Sequence, residues 1–366
     1  MRLSVVVPVY NVAKYLRECL DSVRVATEKV EAEVICVDDG STDGSAEILD
    51  EFQKEAEGKG GISPDRREPR SERYAGRGKW KILHRANAGA WAARNAALGV
   101  AQGEWITFVD ADDVLNRHWL EEGLRIGKES GADLVRLKYT YGRSLPVGFD
   151  ARKAGDVFCS LNEKEAFAWM WNTMASAGFI WLCFIKRSVI GELRLPQLNC
   201  KEDSIWLLTL ASRVKRVAQG EFNGYFYRAT DGSLMKQNRT VSQCAAYLEA
   251  MLKLWDSQKA LARENGCEDV VRRNVRASVD NDVIEWVMKR AKGEDLPRER
   301  IREVYAGLES AGAFDGTRYT NRLRYRFGFW WWRKTGQIWA IRIPGLLFLW
   351  VRMVINKVKA GGVSCS

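Results

Sequence analysis

Six carboxylates in two short stretches carry the first chemical signal. "VDDGSTDGS" holds Asp38, Asp39 and Asp43, and "VDADD" holds Asp110, Asp112 and Asp113. Each stretch closes an apolar run, "EVIC" and "WITF" respectively, so acids gather where buried strands end. Clustered carboxylates repel one another and are tolerated where a cationic or hydrogen-donating group sits between them. A divalent metal carrying a diphosphate meets that need. Mg²⁺ and Mn²⁺ prefer carboxylate oxygens and use one or two of them together with substrate phosphates. In an extended segment Asp110 and Asp112 point to the same side, so they can converge on one ion. Alone, an acidic stretch of this kind reads more simply as a solvated turn or a helix cap. Asp39-Gly-Ser-Thr-Asp-Gly-Ser also contains good N-caps for the helix that follows. Two acidic strand ends in one domain favour a ligand site, and capping and ligand contact can coexist there.

The elements that must position these acids follow from hydrophobic patterning. "LSVVVPV" (3–9) is continuously apolar, which implies a strand buried on both faces, as in a parallel sheet. A helix is expected over 11–26, with Leu16, Leu20 and Val23 on one stripe. "AEVICVDD" is a second strand and "SAEILDEFQKEAE" a second helix. "WKILHR" is a third strand, followed by the alanine-rich helix "AGAWAARNAALGVAQG" and a fourth strand, "EWITFVDADD". Four alternations of strand and helix predict an α/β domain with a mostly parallel sheet flanked by helices. In such sheets ligands bind outside the carboxyl ends of the strands, which is where the acids lie. Residues 58–79, rich in Gly, Pro and charge, read as a mobile insertion loop. A helix is expected over 117–130, then a strand in "ADLVRLKYTY". Helical patterns dominate after 242.

Composition narrows the classes further. The chain has 366 residues, 46% of them hydrophobic and 28% charged, ordinary for a soluble globular protein with one large or two small domains. Eight cysteines without a C-x-x-C pattern, several inside apolar runs, suit buried thiols in a reducing compartment better than a disulfide framework or a zinc site. Two histidines make a multi-histidine metal centre improbable. The opening "MRLSVVVPVYN" has too short an apolar run for a secretory signal, so a cytoplasmic location is expected. There is no G-x-x-x-x-G-K-[ST] loop and no G-x-G-x-x-G after the first strand. An acidic metal–diphosphate clamp therefore fits better than a glycine-rich phosphate cradle.

Four motifs, "VVVPVYNVAKYLRECLDSV", "EVICVDDGSTDGS", "RANAGAWAARNAAL" and "GEWITFVDADDVL", fall in the order and spacing of family 2 glycosyltransferases, which have the GT-A fold. The resemblance covers about residues 1–235, and four motifs in order make it specific. It implies that Pro8, Tyr10 and Asn11 border the base and ribose of a nucleotide sugar. Asp39 would bind the base, usually uracil, with Asp38 beside it. Asn87, Gly89, Arg94 and Asn95 match the stretch that lines the donor pocket. Asp110 and Asp112 match the family's D-x-D: Asp110 as the ribose- or sugar-side acid that also reaches the metal, Asp112 as the metal ligand, with Mg²⁺ or Mn²⁺ as cofactor. Asp113 matches a further frequent acid. "CKEDSIW" resembles the acid pair that supplies the catalytic base, Asp203 being the base and Glu202 its neighbour. On its own K-E-D reads as a solvated helix start. "GYFYRATDGSLM" resembles a Y-x-Y-R…GS element of bacterial capsule and surface-polysaccharide transferases, so Tyr227, Arg228 and Ser233 would face the diphosphate or the acceptor.

The resemblance thus implies a metal-dependent, inverting transfer of a sugar from a nucleoside diphosphate, usually UDP, to a hydroxyl of a glycan or lipid-linked acceptor. The Q-x-x-R-W element and multi-span membrane region of processive synthases are missing, which implies single-sugar addition. The 58–79 insertion is longer than the family pattern. Two rival readings keep the fold and change the chemistry. A non-catalytic nucleotide-sugar or glycan-binding protein would bind donor without releasing nucleoside diphosphate. A nucleotidyltransferase would release pyrophosphate, but its glycine- and lysine-rich opening loop is absent.

The formal charge of +10 belongs to the end of the chain. Residues 317–359 hold Arg318, Arg322, Arg324, Arg326, Arg333, Lys334, Arg342, Arg352, Lys357 and Lys359, no Asp or Glu, and Trp330, Trp331, Trp332, Trp339 and Trp350. A bilayer span needs ~20 apolar residues. Here Arg342 and Arg352 interrupt the run, and Pro344 and Gly345 lie between them. An amphipathic segment lying on an anionic membrane surface is expected, with tryptophans at headgroup level. A helix packed on the catalytic domain with a basic outer face is the alternative. No nucleic-acid-binding module accompanies the charge, so nucleic acid is not an expected partner. The domain plan is a catalytic domain over 1–235, a helical region over 236–316 and a membrane-interface tail over 317–366. The protein is expected at the inner face of the cell membrane.

Overall fold

A computed structural model describes residues 2–56, 79–151, 158–198, 201–230 and 241–274. The 58–79 insertion (save Lys79), Ser233, most of the 236–316 region and the basic tail lie outside the described residues. The chain divides into two compact units, residues 1–237 with 260–267 and residues 238–259 with 268–366.

The first unit is built on β1 (Leu3–Val9), α1 (Ala13–Thr27), β2 (Ala32–Asp38), α2 (Ser45–Ala56), β3 (Lys79–His84), α3 (Ala90–Val100) and β4 (Trp105–Phe108). These strands form the parallel order β3-β2-β1-β4. Every residue of β2 is buried, and Val5, Val6 and Val7 of β1 have no exposed surface. Helices cover both faces of a parallel sheet, which is why these strands are apolar throughout rather than alternating. On α1, Leu16, Cys19, Leu20 and Val23 form the buried stripe, one face of a 3.6-residue period.

The rest of this unit adds β5 (Val114–Leu115), α4 (Trp119–Ser130), β6 (Leu134–Gly142), β7 (Phe158–Leu161), α5 (Glu163–Ala177), β8 (Cys183–Lys186), α6 (Arg187–Ile190), α7 (Glu202–Leu210) and β9 (Val217–Arg228). The sheet continues β4-β8-β6-β9-β5, with β7 also on β9. β8 runs antiparallel to both β4 and β6, whereas β6 and β9 are parallel. The domain is α/β with a mixed, largely parallel sheet. Two glycines set the packing of α4. A Cβ on Gly123 would lie 2.3 Å from the Phe184 ring, and one on Gly127 2.9 Å from Trp105, so only glycine lets the helix lie this close to β8 and β4. Trp119, at the start of α4, is fully buried against Phe184, Phe222 and Tyr225, at centroid distances of 5.8, 6.5 and 5.5 Å.

Several expectations change. The strand expected to run through Asp113 ends at Phe108, and the D-x-D residues lie in a turn in which Asp113 N–H donates to Asp110 O (3.1 Å), not in extended chain. The helix expected from 117 begins at Trp119. Strands β8 and β9 occupy stretches for which the sequence suggested none. β9 mixes Gly220, Gly224, Glu221 and Asn223 with apolar residues, which breaks the alternation that marks a half-buried strand. Beyond the sheet, α8 (Val241–Glu264) is helical as its pattern predicts, with Tyr247, Met251, Leu254, Trp255 and Gln258 buried. Among the described residues, no helix is long and apolar enough to cross a membrane. The described cysteines Cys19, Cys36, Cys159, Cys183 and Cys267 are all free thiols, and only Cys159 is exposed.

Candidate active site

The strand order reverses at β1. The chain moves outward through β2 and β3 and then returns to place β4 on the other side of β1. A crevice outside the carboxyl ends of β1 and β4 is the expected ligand position in such a sheet. Both acidic clusters sit at that edge: Asp39 donates its N–H to Val9 O (2.9 Å), and Val109, just before Asp110, donates to Val6 O (2.9 Å).

The β2 end forms one wall. Asp38 accepts from Ser41 N–H (3.0 Å) and lies 3.1 Å from His84 Nδ1. The His84 imidazole, bound to Asp38 and 3.1 Å from Asp50, is held above its ordinary pKa, mainly by the Asp38 hydrogen bond. Asp39 accepts from Gly89 N–H (2.7 Å) and Ala88 N–H (3.2 Å), with Arg85 3.5 Å away. Gly89 carries φ 100°, a left-handed-side conformation that glycine adopts without a Cβ clash. The buried Asp39 carboxylate therefore fixes the backbone that starts α3, and Asn87 is exposed beside it.

The 41–45 loop does more than start its own helix. Asp43 accepts from Ser45 N–H at the start of α2 (3.0 Å), as the capping pattern suggests. Its other oxygen accepts from Ala13 N–H (2.9 Å), and Ser45 Oγ accepts from Val12 N–H (3.0 Å). These groups satisfy orphan donors at the start of α1 from a distant segment. Asn11, at φ 50°, completes the lock: its N–H donates to Ser41 Oγ (3.1 Å) and its Oδ1 accepts from Thr42 N–H (2.8 Å). Pro8 is partly buried, and Tyr10 stands half-exposed.

The β4 end forms the opposite wall. Asp110 accepts from Arg94 Nη2 (3.0 Å), and Arg94 Nη1 donates to Glu202 Oε1 (2.8 Å). Arg94 is buried on α3, so one guanidinium joins the D-x-D loop to the start of α7. Asp203 follows Glu202 and is partly buried. Burial and the neighbouring Glu202 charge push its carboxyl up to about 7, with Arg94 acting in the opposite direction. Burial and the Asp110 charge push the Asp112 carboxyl up to about 6. Lys201 precedes the acid pair with φ 55°, an uncommon conformation for a residue with a side chain and one that collects at functional sites.

Asp113 is fully buried and faces protein groups. Tyr225 Oη donates to one carboxylate oxygen (2.8 Å) and Arg228 N–H to the other (2.8 Å). The same hydroxyl accepts from Asp110 N–H (3.1 Å). The Arg228 guanidinium donates to Asp112 O (2.9 Å) and to Glu18 (2.6 Å), and lies 5.2 Å over the Tyr15 ring. Asn95 has both ends of its amide on the Leu195 backbone (2.9 and 2.8 Å). Asp113, Arg228 and Asn95 thus shape the loops around the crevice. The sequence did not single out Tyr225 as a clamp or Lys201 as a strained residue. The first was visible only as one tyrosine of a Y-x-Y pair, and the second carried no signal.

Two carboxylates, Asp110 and Asp112, stand close enough to raise the proton affinity of Asp112. Among the described residues, no group of three or more His, Cys, Asp or Glu is arranged to hold a metal by itself. That donor set matches an ion such as Mg²⁺ or Mn²⁺, which takes one or two carboxylates and completes its shell with phosphates and water.

Residues 4–143 match the model of glycosyl transferase family 2. Glycosyltransferase GlyG of Streptococcus pneumoniae is 30% identical over 261 residues, covering 69% of this chain and 78% of GlyG. The poly(ribitol-phosphate) beta-glucosyltransferase of Bacillus spizizenii is 37% identical over 240 residues, 64% of this chain but 33% of that protein. Among solved structures, Staphylococcus aureus TarS 1–349 in complex with UDP-GlcNAc superposes with a TM-score of 0.60 at 18% identity, covering 95% of this chain and 91% of TarS 1–349. At that identity the likeness concerns the fold, which is GT-A. The four motifs, the acidic crevice at the switch point and these relatives converge: the chain belongs to glycosyl transferase family 2 and is a glycosyltransferase.

Proposed function

We propose that this enzyme transfers a sugar from a nucleoside diphosphate donor, UDP-linked, to a hydroxyl of a glycan or lipid-linked acceptor, inverting the anomeric centre. One observation carries the reading: Arg94 bridges Asp110 and Glu202. That bridge sets the D-x-D loop beside the acid pair that would serve the acceptor. The TarS neighbour bound to UDP-GlcNAc supports the donor class. The poly(ribitol-phosphate) transferases among its relatives support a surface-polymer acceptor.

Asp112, with Asp110, would hold Mg²⁺ or Mn²⁺, which when bound neutralises charge on the departing diphosphate. Asp203 removes the proton from the attacking hydroxyl. A base with proton affinity near neutral pH suits that task, since it is available as carboxylate yet still accepts a proton. Arg94 engages Glu202 in an ion pair, which leaves Asp203 to meet the acceptor oxygen. Pro8, Tyr10, Asn11, Asp38, Asp39, Asn87 and Gly89 border the base and ribose, and Asn95, Asp113 and Arg228 hold the surrounding loops. Residues 1–235 form the catalytic domain and 236–316 a helical region. Residues 317–359 rest on an anionic membrane surface, which would place the enzyme at the inner face of the cell membrane near a lipid-carried acceptor.

The test is a panel of nucleotide sugars scored for nucleoside diphosphate release, with and without Mn²⁺. Metal-stimulated release of UDP from one UDP-sugar is expected. Release of pyrophosphate, or binding of donors with no release from any, would overturn the reading.

A further inference from the structure

An aromatic face adjoins this crevice at Tyr225. β6 and β9 pair Tyr139 with Tyr225 and Tyr141 with Tyr227. Alternation along a strand places all four rings on one face of the sheet. Trp181, from the helical turn Ile180–Leu182, stacks on Tyr225 (4.4 Å, 26°) and on Tyr227 (5.2 Å, 30°). Phe179 stacks on Trp181 at 5.0 Å, and Tyr139 meets Trp181 edge-on at 5.2 Å. Tyr141 lies 5.5 Å from Tyr227 and is 61% exposed.

The face is tied to both halves of the reaction centre. At its inner end the Tyr225 hydroxyl contacts Asp110 N–H and the Asp113 carboxylate. At its side, Gly178, next to Phe179, approaches α7 so closely that a Cβ would lie 2.4 Å from Ser204 Oγ, one residue after Asp203. At its outer end the rings reach solvent. Of the exposed large apolar residues among those described, Tyr10 and Tyr141 are the aromatic ones. Tyr10 follows β1, on the donor side.

We propose that Tyr141 and Tyr227, backed by Tyr139 and Trp181, form the acceptor subsite, and that its occupant is a pyranose ring. This rests on the transferase reading above and names the acceptor as a saccharide. The exposed Tyr141 ring, tilted 41° to Tyr227, presents a rigid contact area to the C–H face of a sugar, while the ring hydroxyls at the sugar's edge stay free for water or carboxylates. A ring laid along this face directs one edge hydroxyl toward the α7 end, where Asp203 lies. Phe179 and Trp181 fix the platform, and Tyr141 supplies the contact most open to a long acceptor.

Saturation-transfer NMR on the full chain tests this, with methyl β-glucoside, methyl β-N-acetylglucosaminide and octyl β-glucoside as probes and UDP binding measured on the same samples. Aromatic saturation is expected to reach the C–H protons of at least one methyl glycoside. Tyr141→Ala should reduce that transfer several-fold, Tyr141→Phe should keep it, and UDP affinity should be unchanged in both. Absence of transfer to either methyl glycoside, equal transfer in Tyr141→Ala, or saturation of the octyl chain alone would each overturn the proposal. Loss of UDP binding in the unsubstituted chain would instead overturn the donor reading, leaving a glycoside signal as evidence for the platform.

Discussion

Arg94 on α3 and Glu202 at the start of α7, 108 positions apart in sequence, meet at 2.8 Å inside the protein. The other arm of the same guanidinium reaches Asp110 at 3.0 Å. The bidentate geometry of arginine lets one buried cation serve two carboxylates from separate segments.

Replacing Arg94 by Ala should therefore be costly twice over. Removing one partner of a buried ion pair leaves uncompensated charge and costs about 3–5 kcal/mol, readable as a lower midpoint in urea. Turnover should fall further than stability accounts for, because the two walls of the crevice lose their tie. Arg94→Lys should recover part of the stability but little of the turnover, since an ammonium lacks the fork.

Asp203→Asn should lower transfer by about 10²–10⁴ and leave UDP affinity nearly intact, as kinetics and calorimetry would show. Asp203 is raised to about 7, so transfer by the unsubstituted enzyme should rise with pH through neutrality as the base ionises. Stability runs the other way. The folded state keeps the Asp203 proton after the unfolded chain has lost it near pH ~3.9. This group's contribution is thus present below that value and declines as pH rises toward about 7. Asp203→Asn should flatten that part of a stability–pH profile.

Asp112→Ala should weaken donor affinity and metal stimulation together, with turnover lowered by about 10²–10³. Donor titrations with and without Mn²⁺ check this. A variant that still responds fully to Mn²⁺ would exclude Asp112 as the metal-holding acid.

Tyr225→Phe removes a hydroxyl that serves the buried Asp113 carboxylate and Asp110 N–H at once. Leaving such groups short of a partner should cost about 1–3 kcal/mol. The D-x-D loop should loosen with it, seen as a higher KM for donor in steady-state assays.

The chain of residues 1–366 should partition to anionic vesicles, and a chain ending at residue 316 should not. Added salt should weaken that binding, because it screens the attraction between the tail's lysines and arginines and the anionic surface. Equal sedimentation of both chains with the vesicles would remove the tail from the membrane argument.

The parallel half of the sheet was legible because burial on both faces leaves a continuous apolar run in each strand. The acids at its edge were legible because nothing apolar explains "VDDGSTDGS" or "VDADD". β8 was not legible: a four-residue strand inserted between β4 and β6 carries no local mark of its neighbours. The 41–45 loop looked like a cap for α2, and only the folded chain shows it also closing α1 through Val12 and Ala13.

Local sequence by itself determined the strand–helix alternation, the positions of the carboxylates and the family, since each depends on residue type and short spacing. Tertiary structure alone decided what each acid does. Asp110, Asp112 and Asp113 are chemically alike and adjacent. Yet Asp113 lies fully buried beneath Tyr225, Asp110 pairs with Arg94, and Asp112 is left with raised proton affinity. The physical reason is that a carboxylate's charge state and freedom to bind are set by desolvation and by partners from distant segments, Arg94, Glu202 and Tyr225, which no local pattern records.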